Sequence, residues 1–208
     1  MNFMEIIILV GKSGCGKTEA SKIISAYGYE RFEASRYATS IHSNVGKGNF
    51  DFFMEPKNQT LVAKKIENDL LDRKTEKAVI SGLRMASEIN YFKERYENVH
   101  VVGIYASDVV CYQRTTLRKS RKKFKNLKEF SFGRLYEDYA HGLGYIYFRM
   151  LDHILDNNTD NIPMLERKVY KLLEKVGQND KEFIKNPESD LTRLLRVKAD
   201  SKTKSKAH

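Results

Sequence analysis

The stretch Glu5-Ile6-Ile7-Ile8-Leu9-Val10-Gly11-Lys12-Ser13-Gly14-Cys15-Gly16-Lys17-Thr18 decides the fold. Its first part is a short, continuous apolar run rich in β-branched residues, the pattern of a strand buried on both faces. The next eight residues fit G-x-x-x-x-G-K-[ST]. From Glu19 to Tyr27, Ala20, Ile23, Ile24 and Tyr27 fall on one helical face, and Gly28 closes the helix. In the order strand, glycine loop, helix, the pattern predicts a phosphate-binding loop. Glycines let successive backbone N–H groups turn inward as an anion nest, and the helix N-terminus adds its partial positive charge at the same point. Gly11, Ser13, Gly14, Cys15, Gly16, Lys17 and Thr18 are therefore the expected phosphate-binding residues. Lys17 is placed to reach the β- and γ-phosphates, and the Thr18 hydroxyl to hold Mg²⁺.

The rest of the chain places strands and helices in alternation around that unit. Strands are expected at residues 29–34, 77–81, 99–106 and 153–155. Helices are expected at 35–43, 58–74, 86–96, 108–123, 128–141 and 162–176, with an aromatic, glycine-containing connection at 44–56. In helix 58–74 the residues read as inward are Leu61, Val62, Ile66, Leu70 and Leu71. This alternation predicts an α/β fold: a five-stranded parallel sheet with helices on both faces, in three layers, spanning residues 1–176. A polar, basic tail follows at 177–208, with a short helix around 189–197 and an end expected to be disordered. Ligands of such sheets gather at the carboxyl ends of the strands. The loops there are Gly11–Thr18, Ala34–Arg36, Ser81–Arg84 and Ala106–Asp108.

Bulk properties narrow the class. The chain has 208 residues, 41% hydrophobic and 31% charged, with a net charge of +10. No apolar run approaches the roughly 20 residues of a membrane span, and two cysteines do not make a disulfide framework. A cytoplasmic protein, monomeric or homodimeric, with no membrane partner is the expectation. The basic charge is concentrated. Arg114, Arg118, Lys119, Arg121, Lys122, Lys123, Lys125 and Lys128 crowd residues 109–128 without a single acid. Such a block serves nucleic acid, a phosphate-covering lid or a solvated helix face. Cys15 reads as a compact loop residue. An exposed thiol beside Lys17 would also be reactive. His42, His100, His141 and His153 lack metal-ligand spacing.

Taken in order, these features resemble P-loop small-molecule kinases, in particular the dephospho-CoA-kinase-like and deoxynucleoside-monophosphate-kinase-like families. The likeness rests on the P-loop, on Val79-Ile80-Ser81-Gly82-Leu83-Arg84 with Glu88 and Phe92 following, and on Ile104-Tyr105-Ala106-Ser107. It continues with Arg114, Arg118 and Arg121, with residues 132–144, and with Ile154-Leu155-Asp156-Asn157-Asn158. The resemblance implies an ATP- and Mg²⁺-dependent transfer of the γ-phosphoryl group to a small acceptor, a nucleoside monophosphate or a related nucleotide-like metabolite. It implies an arginine lid at about 113–128, with Arg114 on the nucleotide phosphates and Arg118 and Arg121 acting with Lys17 on the transferring group. Arg84, Glu88, Arg36 and Glu33 are the implied acceptor contacts. Ser81 stands where these families carry an aspartate, so Thr18 and Ser81 form the expected metal pair, with Glu33 or Asp108 as compensating acids. Two other readings stay open: a nucleic-acid-associated P-loop protein such as a polynucleotide end kinase, and a nucleotide-binding regulator with weak ATPase activity. No N-K-x-D stretch supports guanine recognition.

Overall fold

The computed structural model describes residues 4–42, 49–117 and 124–177. The helix expected at 189–197, Arg118 and Arg121 lie outside these residues. The chain divides into two compact units, Met1–Leu172 and Leu173–His208. Of the second, residues 173–177 are described, and all but the last of them belong to the final helix.

Five strands, β1 (Glu5–Val10), β2 (Glu30–Glu33), β3 (Lys77–Ser81), β4 (Asn98–Tyr105) and β5 (His153–Asp156), form one sheet in the order β2-β3-β1-β4-β5. Every pairing is parallel. Parallel neighbours need a crossover long enough for a helix, which is why each strand is followed by one or more. The helices are α1 (Lys17–Ser25), α2 (Ala34–His42), α3 (Asn49–Met54), α4 (Leu61–Asp72), α5 (Ala86–Lys93), α6 (Asp108–Thr116), α7 (Leu127–Phe130), α8 (Tyr136–Ala140), α9 (Leu143–Arg149) and α10 (Ile162–Val176).

The centre of the sheet explains the apolar run at the start. All six residues of β1 are buried, because β3 covers one edge and β4 the other. Side chains alternate between faces. Ile6, Ile8 and Val10 accordingly join one core with Phe32, Val62, Ala63, Ile66, Leu70, Ile80, Ile89 and Phe92. β1 lies between β3 on one side and β4 on the other, and the chain crosses from one side to the other there, so the crevice beyond Val10 is the switch point where such sheets bind ligands.

Three expectations change in detail. The connection 44–56 contains a short helix, α3, in which the Phe52 and Phe53 rings meet edge to face with centroids 5.1 Å apart; Phe53 packs against the core. In α4, Leu71 is 48% exposed and Ala63 is buried in its place among the inward residues. The expected helix 128–141 is three pieces, α7, a π-turn at Ser131–Leu135 and α8. The wider turn shifts the helical face and brings Asp138 inward, where it is 7% exposed.

Candidate active site

The loop between β1 and α1 is shaped by glycines that no other residue could replace without movement. Gly14 has φ +89° and Gly16 φ +105°, in the region L side chains avoid. Space is also lacking. A Cβ on Gly14 would run into the Cys111 carbonyl and lie 2.8 Å from Thr115 Oγ1, and one on Gly16 would strike the Asn157 amide. Gly16 is the N-cap of α1, so the N–H groups of the first helical turn open into the loop.

Lys17 begins α1 and turns back over the loop. Its Nζ donates to Gly11 O at 2.5 Å and to Lys12 O at 3.0 Å, and lies 3.8 Å from Cys15 Sγ. Thr18 is exposed beside it. Cys15, by contrast, is 0% exposed, which fits the compact loop residue of the sequence reading and not the exposed, reactive thiol. The loop closes its side chain beneath the glycines, out of reach of a reagent.

Distant residues hold the loop from the β4–β5 side. Asn157, buried just after β5, donates from Nδ2 to Cys15 O at 2.8 Å. Arg114 on α6 spreads its guanidinium over Asn157 O (2.9 Å), Thr159 O (2.8 Å), the Asp160 carboxylate (2.8 Å) and Cys15 O (3.5 Å). Four hydrogen bonds thus join α6, the segment after β5 and the loop through this one guanidinium, which sits at the loop where the resemblance puts a phosphate contact. Asp108, at the start of α6, takes Lys12 Nζ at 2.5 Å. Burial alone would lower the Lys12 pKa, but the hydrogen bond and charge of Asp108 outweigh it and raise it. Asp138 on α8 accepts from Ser13 N at 3.2 Å. Beneath the loop, burial pushes the Cys111 thiol up to about 11, and the Tyr147 hydroxyl donates to Ile104 O at 2.9 Å.

The β3–β2 side is assembled differently. Ser81 ends β3, buried, in register with Leu9 on β1 and Glu33 on β2. Glu33 meets Arg31 at 3.0 Å and Arg36 at 3.2 Å, and Arg36 is 81% exposed. Both acids proposed to compensate for Ser81 are therefore ion-paired, Glu33 to arginines and Asp108 to Lys12. Glu33 and Arg36 also line a groove of about 360 Å³ with Arg31, Tyr37, Lys65 and Asp69. Arg84 is exposed three residues after the last residue of β3. Glu88 is buried behind it, and its Oε2 accepts from Arg84 N (2.8 Å) and Met85 N (3.0 Å). Burial raises the Glu88 pKa to about 7 against the opposing pull of those two N–H groups. Glu88 thus builds the turn that presents Arg84, which is a different task from touching an acceptor.

Sequence reasoning brought Gly11–Thr18, Ser81, Arg84 and Glu33 to one edge of the sheet, as expected from the strand ends. It missed Asn157 and Asp138 as loop partners. Asn157 was visible only as part of a motif, and Asp138 only as one acid on a helix after the lid; neither carries a periodicity that marks it. Among the described residues no group of three or more His, Cys, Asp or Glu is arranged to hold a metal ion, and no helix is long and apolar enough to cross a membrane.

No family model matches the chain. A UPF0200 protein of Pyrobaculum aerophilum is 27% identical over 179 residues, covering 82% of this chain and 97% of its own length. Among solved structures, a gluconokinase from Sinorhizobium meliloti 1021 superposes with a TM-score of 0.59 at 17% identity, covering 86% of this chain and 97% of the other. A shikimate kinase from Bacteroides thetaiotaomicron gives a TM-score of 0.58 at 16% identity, covering 83% and 98%. The five-stranded parallel sheet with its glycine loop is the fold of P-loop kinases.

Proposed function

We propose that this protein is a phosphotransferase that moves the γ-phosphoryl group of ATP to a small polar acceptor. The observation that carries the reading is the loop itself: glycines that admit no side chain, and Lys17 folded over the Gly11 and Lys12 carbonyls at the end of the central strand. ATP would supply the phosphoryl group, and Mg²⁺ would neutralise its developing charge. The inward-facing loop and the α1 N-terminus suit a polyphosphate, and Thr18 with Ser81 offers hydroxyl oxygens for the ion or its water shell. The chain's own task is then positioning and exclusion of water. Lys17 trades loop carbonyls for phosphate oxygens. The Glu88-built turn holds Arg84 toward the acceptor, with Glu33 and Arg36 beside it on β2 and α2. Arg118 and Arg121, outside the described residues, complete the proposed lid, and Arg114 holds the loop that receives the phosphates.

The motif order favours a nucleoside monophosphate or nucleotide-like acceptor. The superposed enzymes, named for gluconate and shikimate, widen the class to small hydroxylated acids. An acceptor screen with purified protein, Mg²⁺ and ATP, read as coupled ADP release, is the test. Release that depends on one acceptor class establishes the reading, and release indifferent to nucleotides, nucleosides, dephospho-CoA, gluconate and shikimate removes it.

A second reading, transfer to a polynucleotide end, is favoured by one observation. Phe132, Tyr136 and Tyr139 are 72%, 74% and 64% exposed just after the lysine-rich block, and exposed aromatics beside cations are how unpaired bases are held. Oligonucleotide retention at low salt that falls steeply as salt rises would support it; no retention at low salt would end it.

A further inference from the structure

We infer that Asp138 is a positioning residue of the phosphate loop, fixing the Lys12–Ser13 peptide unit from the end opposite Lys17. The C=O of Lys12 and the N–H of Ser13 belong to one peptide group. The structure holds no cis peptide bond among the described residues, so the two point in opposite directions from a rigid plane. Lys17 Nζ donates to the oxygen end at 3.0 Å. Asp138 Oδ2 accepts from the nitrogen end at 3.2 Å. A cation on the oxygen and an anion on the hydrogen polarise the same peptide in the same sense, so each contact strengthens the other. Together they prevent the peptide from flipping, the motion that would turn a loop N–H away from its neighbours.

A bound polyphosphate would change the balance of this clamp. Lys17 must leave the Gly11 and Lys12 carbonyls to reach phosphate oxygens. Asp138 then holds that peptide unit alone. Its burial points the same way. A carboxylate at 7% exposure is costly to remove from water and returns little net stability; what it contributes is orientation. The contact also spans 125 residues of sequence. It ties the first limb of the loop to α8, which runs on from α7 and the π-turn that follow the lysine-rich block.

This inference rests on the phosphotransferase reading only as far as polyphosphate binding. The experiment is therefore titration calorimetry, without acceptor, of wild type, Asp138→Ala and Asp138→Asn. The probes are Mg-ATP and inorganic tripolyphosphate, and circular dichroism melting checks the fold. Asp138→Ala is expected to weaken both ligands about tenfold, the lower end for losing a hydrogen bond to a charged group. Asn keeps an acceptor oxygen and is expected to stay within about threefold of wild type. A purely structural role would lower the melting temperature and leave the affinity of the folded variant unchanged. Folded Asp138→Ala binding both probes as wild type does, or Asp138→Asn as weak as Ala, would overturn the assignment. Should Ala not fold, Asp138→Leu fills the site without accepting a hydrogen bond and takes its place, with the same loss expected. Wild type that binds neither probe would overturn both this inference and the kinase reading, whereas binding without acceptor-dependent turnover would overturn the kinase reading alone.

Discussion

The two sides of β1 are built on different terms. On the β4–β5 side, the loop is gripped by side chains far away in sequence: Asn157, Arg114 and Asp138 all bond its backbone. Each takes hold of a peptide group, so the loop's shape is fixed by the protein's own contacts. On the β3–β2 side, Arg84 and Arg36 stand exposed after their strands, and the polar groove beside Glu33 is lined by charges paired with one another. A polyphosphate is the same in every enzyme that uses it, so its receptor is rigid backbone. An acceptor differs from one enzyme to another, and in the proposed function exposed side chains on short connections would receive it. In the proposed function, specificity therefore resides on the β3–β2 side and chemistry on the loop.

That contrast is breakable. The largest effect is expected at Lys17, whose Ala substitution should lower phosphoryl transfer by roughly 10²–10³-fold in kcat, the scale of losing one charge-stabilising donor. The check is steady-state kinetics once an acceptor is in hand; a variant within tenfold of wild type would detach the loop from the chemistry. Next comes Gly16→Ala. Its left-handed backbone and the Asn157 amide in the path of the new Cβ predict a loss of about 2–4 kcal/mol in stability, combining strain and overpacking, read by urea unfolding. A change below 1 kcal/mol would show the loop to be softer than its contacts imply.

On the other side of β1, Arg84→Ala should raise the acceptor KM about tenfold while the ATP dissociation constant stays unchanged, because it removes one charge-assisted contact from an exposed turn. Equal losses for both ligands would erase the distinction between the two sides. The smallest effect concerns Glu88. Its pKa is raised in the folded protein, to about 7, so the folded state binds the proton more tightly than the unfolded chain. This contribution is fully present below the unfolded carboxylate pKa and is lost as pH rises through about 7. Measured against Glu88→Gln, which keeps an acceptor for the Arg84 and Met85 N–H groups, wild type should gain relative stability as pH falls from about 7 to 4.5. Parallel stability curves for the two proteins would refute the assignment.

These expectations come from two sources of unequal reach. The strand–loop–helix unit was legible because its information is local: an apolar run, glycines at fixed spacing and a helical face lie within the 23 consecutive residues from Glu5 to Tyr27. The five strands were legible for the same reason, and so was α10, whose limits at Ile162 and Val176 the periodicity and Pro163 predicted. Arg114 shows where this stopped. The resemblance placed it on a lid helix, but nothing in the sequence told that Asp160 and the carbonyls of Asn157 and Thr159 would accept from it. The resemblance makes Glu88 an acceptor contact; its burial and its bonds to the Arg84 and Met85 N–H groups, visible only in the fold, show the turn it builds.

The sequence by itself therefore determined the α/β alternation, the phosphate loop and the strand ends at which ligands gather. Each of those depends on residues close in the chain, where covalent geometry and side-chain periodicity leave few alternatives. The tertiary structure decided which side chains hold the loop and which remain open to a substrate. Asp138 lies 125 residues from Ser13 and Asn157 lies 142 from Cys15. Their contacts exist because β5, the π-turn and α8 pack where they do, and packing between distant segments leaves no periodic trace in either one.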